Sequence, residues 1–274
     1  MLVELHCHST HSDGSLRPAD VTTRARERGV AVFSLTDHDT ATGWDELAET
    51  WRGGPCVRGL ELSCRHHGQT VHLLLYDRAR DPDRWATMDE RLLAIAQARR
   101  QRAVSICALL GERGLAIDAE HMLANTGSST VGRPHVARAL VAAGHVRSIQ
   151  QAFTRYLYDG SPFDVPLERF TVQDGLDLAE QAGAVVSLAH PHSLGNGAAV
   201  LIEEFAPKGL SGLEVFYQAY SRGQRRHFAE LARSHGLVAT GGTDYHGDAM
   251  PKITGVGIEI PDDDGERLLR WLGF

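Results

Sequence analysis

Side chains of the kind that ligate metals recur at the ends of short apolar runs, and this placement constrains the fold more than any other feature. The runs are Leu2–His6, Val30–Thr36, Cys56–Leu62, Val71–Tyr76, Ala184–Ala189, Gly212–Phe216 and Leu237–Thr240. They are rich in Val, Leu and Ile, as buried strands are. Helical patterns lie between most of them, at Pro18–Arg28, Thr42–Trp51, Val172–Gln181, Ser221–Ser234 and Asp263–Trp271. Pro18 opens the first of these and Gly29 closes it, as helix-end chemistry favours. Repeated strand–helix alternation predicts a parallel sheet, either a barrel or a doubly wound fold.

One stretch breaks that rhythm. Trp85–Leu110 has a long helical pattern, and Asp118–Ala124, Arg133–Ala143 and Ser148–Tyr156 add shorter ones with no convincing strand between them. The expected organisation is an α/β body over residues 1–80 and 159–274, with an all-helical subdomain, 81–158, inserted and covering the active site.

Composition removes several classes. Hydrophobic residues make up 42% and charged residues 23%, which does not suit a disordered chain. No apolar run reaches the ~18 residues of a membrane span. The opening MLVELHCH has no basic segment before an apolar stretch, so no secretory signal is expected. Cys7, Cys56, Cys64 and Cys107 form no CxxC and read as reduced thiols, consistent with a cytoplasmic location. A net charge of −7 is poorly suited to gripping long duplex nucleic acid, although a small anion can be held by local cations.

There are 15 His, and where they fall matters more than their number. His6 and His8 end the first run, Asp37 and His38 follow VFSLT, and Glu61 ends the third. His72 lies in the fourth run, His190 follows VVSLA, and Asp244 and His246 follow ATGG. In a closed parallel barrel such ends share one face, the face that carries the active site. His6 and His8 are two apart, so in a strand both imidazoles point to the same side and can take one ion. Alone, the pair also reads as two surface histidines. Glu61 is either a carboxylate bridging two ions or a strand-end charge facing water. Asp13, in Ser12-Asp13-Gly14, is either a turn residue or a ligand from the first loop. Asp37 is expected to accept from an imidazole and fix its tautomer.

The helical stretch contains Gly132-Arg133-Pro134-His135. Arg133 and His135 either hold phosphate oxygens, for which the guanidinium fork is well shaped, or begin a helix with solvated charges. Ser128, Ser129 and Thr130 could add hydroxyl donors. Of the 28 Lys and Arg only Lys208 and Lys252 are Lys, so a general bias toward Arg is the alternative explanation.

The motifs LHCHSTHSDGS, SLTDHDT, GLELS, TVHLLLY, LAHP and GGTDYHG together resemble the PHP (polymerase and histidinol phosphatase) metal-dependent phosphoesterases, in order, from Met1 to about Gly247. The insertion with GRPHVARAL resembles the branch that dephosphorylates nucleoside 3′,5′-bisphosphates and trims short RNA from its 5′ end. The resemblance implies a distorted (β/α)7 barrel and three divalent ions, of manganese, iron or zinc. It implies one ion on His6, His8, Glu61 and Asp244, a second on Glu61, His72 and His190, and a third on Asp13, His38 and His246. Asp13, Glu61 and His246 would serve catalysis, and Arg133 and His135 would hold the substrate phosphate. The reaction implied is hydrolysis of a phosphate monoester by a metal-bridging hydroxide, on a small phosphorylated substrate, either a nucleotide or a short oligonucleotide. One departure stands out: relatives often carry an Arg soon after the AHP triplet, where this chain has His192.

Three rival readings have discriminating features. Amidohydrolases also place HxH on a β/α barrel, but many bridge their ions with a Lys, and residues 1–207 contain none. A metal-free interaction module would have lost ligands, whereas every ligand position here carries a competent side chain. Within the family, a phosphatase for histidinol phosphate or another small molecule, or a polymerase-type nuclease, is the alternative to the nucleotide branch.

Overall fold

A computed structural model describes residues 1–274 except 125, 127–129, 168, 169, 251 and 254. The hydroxyl donors expected at Ser128 and Ser129 therefore lie outside the described residues. The chain forms two compact units, Met1–Leu92 with Arg169–Phe274, and Leu93–Glu168. Its elements run β1 (Leu2–Glu4), α1 (Pro18–Glu27), β2 (Val32–Phe33), α2 (Trp44–Thr50), β3 (Gly59–His66), β4 (Gln69–Tyr76) and α3 (Pro82–Glu112). Then come α4 (Ala119–Ala124), α5 (Arg133–Ala142), α6 (Ile149–Ala152), β5 (Phe170–Thr171), α7 (Val172–Ala182), β6 (Val185–Leu188) and α8 (Gly197–Phe205). The last are β7 (Leu210–Tyr217), α9 (Arg222–Ser234), β8 (Val238–Gly242), β9 (Ile258–Glu259) and α10 (Asp262–Leu272).

The fold is α/β with mixed sheets, and here the expectation of a parallel sheet needs correction. One sheet has the order β2-β1-β9 and the other β5-β3-β4-β6-β7-β8. β4 runs antiparallel to both β3 and β6. The cause is local. β3 extends to His66 and β4 starts at Gln69, leaving His67 and Gly68, both with positive φ, as a two-residue loop. Such a loop makes a hairpin and leaves no room for the crossover that parallel pairing needs. β6–β7 and β7–β8 are parallel, with β-bulges in both pairings.

Backbone hydrogen bonds also link the two sheets. Leu5 N–H donates to Gly241 O (3.2 Å), and Val57 N–H donates to Phe33 O (3.1 Å). Gly242 is required where β8 approaches β1, since a Cβ there would lie 2.3 Å from His6 Cβ. Val3, Leu5, Leu74 and Tyr76 form a core with Leu268 and Leu272 of α10. Phe33, Leu47, Trp51 and Val21 pack a second core under α1 and α2.

The second unit holds no strand among its described residues. It has its own core, including Ile106, Leu110, Val136, Leu140, Leu157 and Phe163. Among the described residues no helix is long and apolar enough to cross a membrane.

Candidate metal centre

The ligand-type residues of the first unit converge on Glu61, which is 1% exposed. Its Oε2 lies 3.3 Å from His6 Nε2, 3.2 Å from His8 Nε2 and 3.1 Å from His38 Nδ1. Its Oε1 lies 2.9 Å from His72 Nδ1 and 3.0 Å from His190 Nε2. Five imidazoles thus surround one carboxylate. Asp244 Oδ1 is 3.4 Å from His6 Nε2 and 3.2 Å from His8 Nε2. Asp13 Oδ1 is 3.2 Å from His246 Nε2, and its Oδ2 is 3.8 Å from His38 Nε2.

All nine ligand positions named from the sequence are brought together. The donor atoms of eight fall into three groups, each within 4.8 Å: His6, His8, Glu61 and Asp244; His8, Asp13, His38 and His246; and His38, Glu61 and His72. The ninth, His190, joins none of these groups and meets the cluster through Glu61 Oε1 at 3.0 Å. The division differs in detail from the expected one. His8 belongs to two groups, and His38 sits between Asp13 and Glu61. A separate surface trio, His66, His67 and Glu204, also brings donor atoms within 4.8 Å, and Lys208 pairs with the same glutamate at 3.3 Å.

Strand geometry explains the convergence. The chain stays extended beyond β1, where Asp244 N–H donates to His6 O (2.7 Å) and His8 N–H to Tyr245 O (2.8 Å). His6 and His8 therefore share a side, with ring centroids 5.3 Å apart. β4 runs antiparallel to β3, and His72, the fourth of its eight residues, pairs in register with Ser63, two residues after Glu61. His190 (φ 26°) and Asp244 (φ 57°) are both left-handed, a costly conformation for residues other than Gly that clusters at functional sites.

The donor set fits divalent metal on a direct structural test. His6 Nε2, His8 Nε2, His38 Nδ1 and Glu61 Oε2 are buried polar atoms that lack a hydrogen-bond partner. Buried polar atoms are rarely left so, and three imidazole nitrogens gathered on one carboxylate oxygen form a donor set that a divalent cation would satisfy. The charges agree. Burial alone would lower the His8 pKa, but the carboxylates of Asp244 and Glu61 outweigh it and push the group up to about 10. Burial likewise opposes ionisation of Glu61, yet His38, His6 and His72 hold it well below the usual carboxylate range. Burial depresses His38 to about 4, leaving a neutral imidazole.

Other expected residues lie elsewhere. Asp37 does not meet an imidazole: it accepts from Ser9 N–H, Ser9 Oγ and Ser12 Oγ, each at 2.7 Å. It reaches His8 only through Ser12, whose Oγ is 3.5 Å from His8 Nδ1. The loop from His8 to Gly14 folds over Asp37 and uses up its oxygens. In the helical unit, Arg133 at the start of α5 donates to Leu157 O (3.0 Å) and Asp159 Oδ1 (2.7 Å). His135 Nδ1 accepts from Gly132 N–H at 3.1 Å. Arg99, Arg102 and Arg133 share the wall of one small cavity in that unit.

Three residues supporting the cluster were not anticipated. Glu4 and Glu214 are 0% exposed, and Tyr217 donates to Asp244 Oδ2 at 2.9 Å. The available signal was a lone carboxylate inside an apolar run, in LVELH and in GLEVFY.

Comparison with known proteins agrees with this geometry. The PHP domain family matches residues 4–108. A 5′-3′ exoribonuclease of Haemophilus influenzae is 33% identical over 252 residues, 89% of each chain. A 3′,5′-nucleoside bisphosphate phosphatase of Chromobacterium violaceum is 33% identical over 251 residues, 89% of this chain and 87% of that one. A phosphoribosyl 1,2-cyclic phosphate 1,2-diphosphodiesterase of Eggerthella lenta is 30% identical over 269 residues, 95% of this chain and 100% of that one. Among solved structures, one from Bifidobacterium adolescentis, assigned as a metal-dependent phosphoesterase, superposes with a TM-score of 0.85 at 28% identity, covering 98% of this chain and 95% of that one. One from Chromobacterium violaceum, described as an amidohydrolase with bound sulfate and no metal, gives 0.83 at 30% identity, covering 97% of this chain and 96% of that one. The chain belongs to the PHP family and is a metal-dependent phosphoesterase.

Proposed function

We propose that the protein hydrolyses phosphate monoesters, with the 3′-phosphate of nucleoside 3′,5′-bisphosphates as its main target and 5′-end trimming of short RNA as a second activity. The observation that carries the reading is the set of four unpartnered buried atoms around Glu61. His6, His8, Glu61 and Asp244 would hold one ion, Glu61, His72 and His190 a second, and Asp13, His38 and His246 a third, of manganese, iron or zinc. Divalent ions supply a water whose pKa falls to about 7 and positive charge against the phosphate. The chain's own residues do the rest. Asp13, Glu61 and His246 are the residues proposed to serve catalysis; His246 Nδ1 donates to Asp244 O at 2.9 Å, leaving Nε2 toward Asp13. Arg133 and His135 are the proposed phosphate contacts, on the likeness of GRPHVARAL to the nucleotide branch; the guanidinium fork of Arg133 suits phosphate oxygens.

Seven of the nine strands described in the first unit, β1–β4 and β6–β8, are proposed to close as a distorted barrel. The links from Leu5 to Gly241 and from Phe33 to Val57 support closure at both edges. The four cysteines are unpaired, which suits a reducing, cytoplasmic setting.

A second reading, hydrolysis of a small cyclic phosphodiester, is favoured by the full-length match to the Eggerthella lenta relative. The test is phosphate release from adenosine 3′,5′-bisphosphate and from histidinol phosphate, and nucleotide release from 5′-phosphorylated short RNA, with a ribosyl cyclic phosphate assayed for ring opening. Preference for the bisphosphate is expected. Release from histidinol phosphate alone, or ring opening alone, overturns the substrate assignment.

A further inference from the structure

Glu214 sits within β7 between Leu213 and Val215, all three 0% exposed. A carboxylate in such a place is strongly disfavoured unless its lone pairs are used. Both of its oxygens are used on residues of the metal cluster. Oε1 lies 2.9 Å from His6 Nδ1, and Oε2 accepts His190 N–H at 2.6 Å. We infer that Glu214 is a positioning residue that decides which nitrogen of His6 faces the cluster and that braces the left-handed His190. The inference rests on reading the cluster as a metal centre.

The argument is one of hydrogen-bond valence. A neutral imidazole has one N–H and one lone pair. Glu214 Oε1 faces Nδ1 of His6 as an acceptor, so Nδ1 is the nitrogen that carries the proton. The lone pair is then on Nε2, the atom 3.3 Å from Glu61 Oε2 and without a hydrogen-bond partner. Without Glu214 the other tautomer competes, and a His6 with its proton on Nε2 would donate to Glu61 or Asp244 rather than ligate. Carboxylate partners behind ligating histidines act this way in metal sites generally.

The second oxygen acts on backbone. His190 stands at φ 26° and ψ 60°, outside the regions ordinary residues occupy. Such a residue persists only where its surroundings over-determine it. The 2.6 Å bond from its N–H to Glu214 is one such restraint, and the 3.0 Å approach of its Nε2 to Glu61 is another. One side chain of β7 therefore couples a ligand following β1 to a ligand following β6. Glu4, the other buried glutamate beneath the cluster, makes a useful contrast. Its partners are His6 N–H, Thr243 N–H, Thr243 Oγ1 and Gly257 N–H, with no imidazole among them.

Glu214→Gln separates the roles because it keeps the size and removes one acceptor. The amide offers a single acceptor oxygen. Either His190 N–H loses its partner, or an NH2 faces His6 Nδ1 and drives the proton to Nε2. Zinc is titrated into metal-free full-length protein against a chromophoric chelator. The expected result is that at least one zinc binds about ten- to hundredfold more weakly in Glu214→Gln than in wild type. Glu214→Asp, which keeps two acceptor oxygens, should recover part of that loss. Zinc affinity in Glu214→Gln equal to wild type overturns the inference and leaves the metal centre standing. Absence of zinc binding by wild type overturns the metal reading and the inference with it. Should Glu214→Gln not fold, ¹⁵N NMR of zinc-loaded wild type decides. A proton on His6 Nδ1 is expected, and a proton on Nε2 overturns the inference.

Discussion

Glu61 and Glu4 are both buried glutamates of the same unit, yet their surroundings are opposite. Around Glu4 every contact is a satisfied hydrogen bond: four donors converge on two oxygens at 2.6–3.0 Å. Burial pushes its carboxyl up to about 7 despite those donors. Around Glu61, imidazole nitrogens crowd within 2.9–3.3 Å, and several atoms have no hydrogen-bond partner. The first arrangement is complete in itself and ties β1 to the chain on either side. The second is a donor set that cations would complete. The difference separates a contact that holds the fold from the group of residues proposed to do the chemistry.

The contrast can be broken in order of effect. Glu61→Ala removes the shared carboxylate, so phosphate release should fall to background and bound metal should drop, both measurable on one preparation. Removing metal from wild type with a chelator should lower stability by about 4 kcal/mol if metal is supplied at about a thousand times its dissociation constant, read as a fall in Tm. Glu4→Gln places an NH2 among four donors. It should cost about 1–3 kcal/mol, again read as a fall in Tm, with zinc stoichiometry kept. Equal loss of metal in both variants would erase the distinction. Arg133→Ala tests the helical unit: losing a charge-assisted contact worth about 1.5–3 kcal/mol should lower kcat/KM for the bisphosphate by roughly ten- to hundredfold. An unchanged kcat/KM would remove Arg133 from the site.

The smallest effect is on pH. In the metal-free protein His8 is raised to about 10, so it holds its proton at pH 7. Ligation displaces that proton, and zinc affinity should rise with pH between 6 and 8, by up to about tenfold per unit for each proton displaced. The same shift has a stability sign. A raised folded-state pKa stabilises fully below about 6.5, and that contribution is lost as pH rises through about 10. Metal-free protein should weaken over that window in thermal melts, and zinc-loaded protein should not.

The cluster was legible because its chemistry is written locally. His6 and His8 follow from strand period two, and His190, Asp244 and His246 come soon after strand ends, whereas Glu61, expected at the end of its strand, lies inside β3 and His72 inside β4. Asp13 was undecided from residues alone, since Ser-Asp-Gly suits a turn equally well, and only the fold brings it to 3.2 Å from His246. The β3–β4 hairpin was hidden because His67 and Gly68 fall within a longer polar gap, and the reversed strand carries His72 in its middle. Glu214 and Glu4 escaped notice because their partners are distant in sequence. The two-residue strands β5 and β9 have too little pattern to read; tertiary pairing makes them.

The central claim is that Glu61 organises a metal centre. Elemental analysis of bound metal in purified wild type and in Glu61→Ala, after equal exposure to manganese, tests it most directly. The account predicts more than one metal ion per wild-type chain and a clear loss in the variant. Wild type without metal, or a variant retaining the full complement, would contradict it.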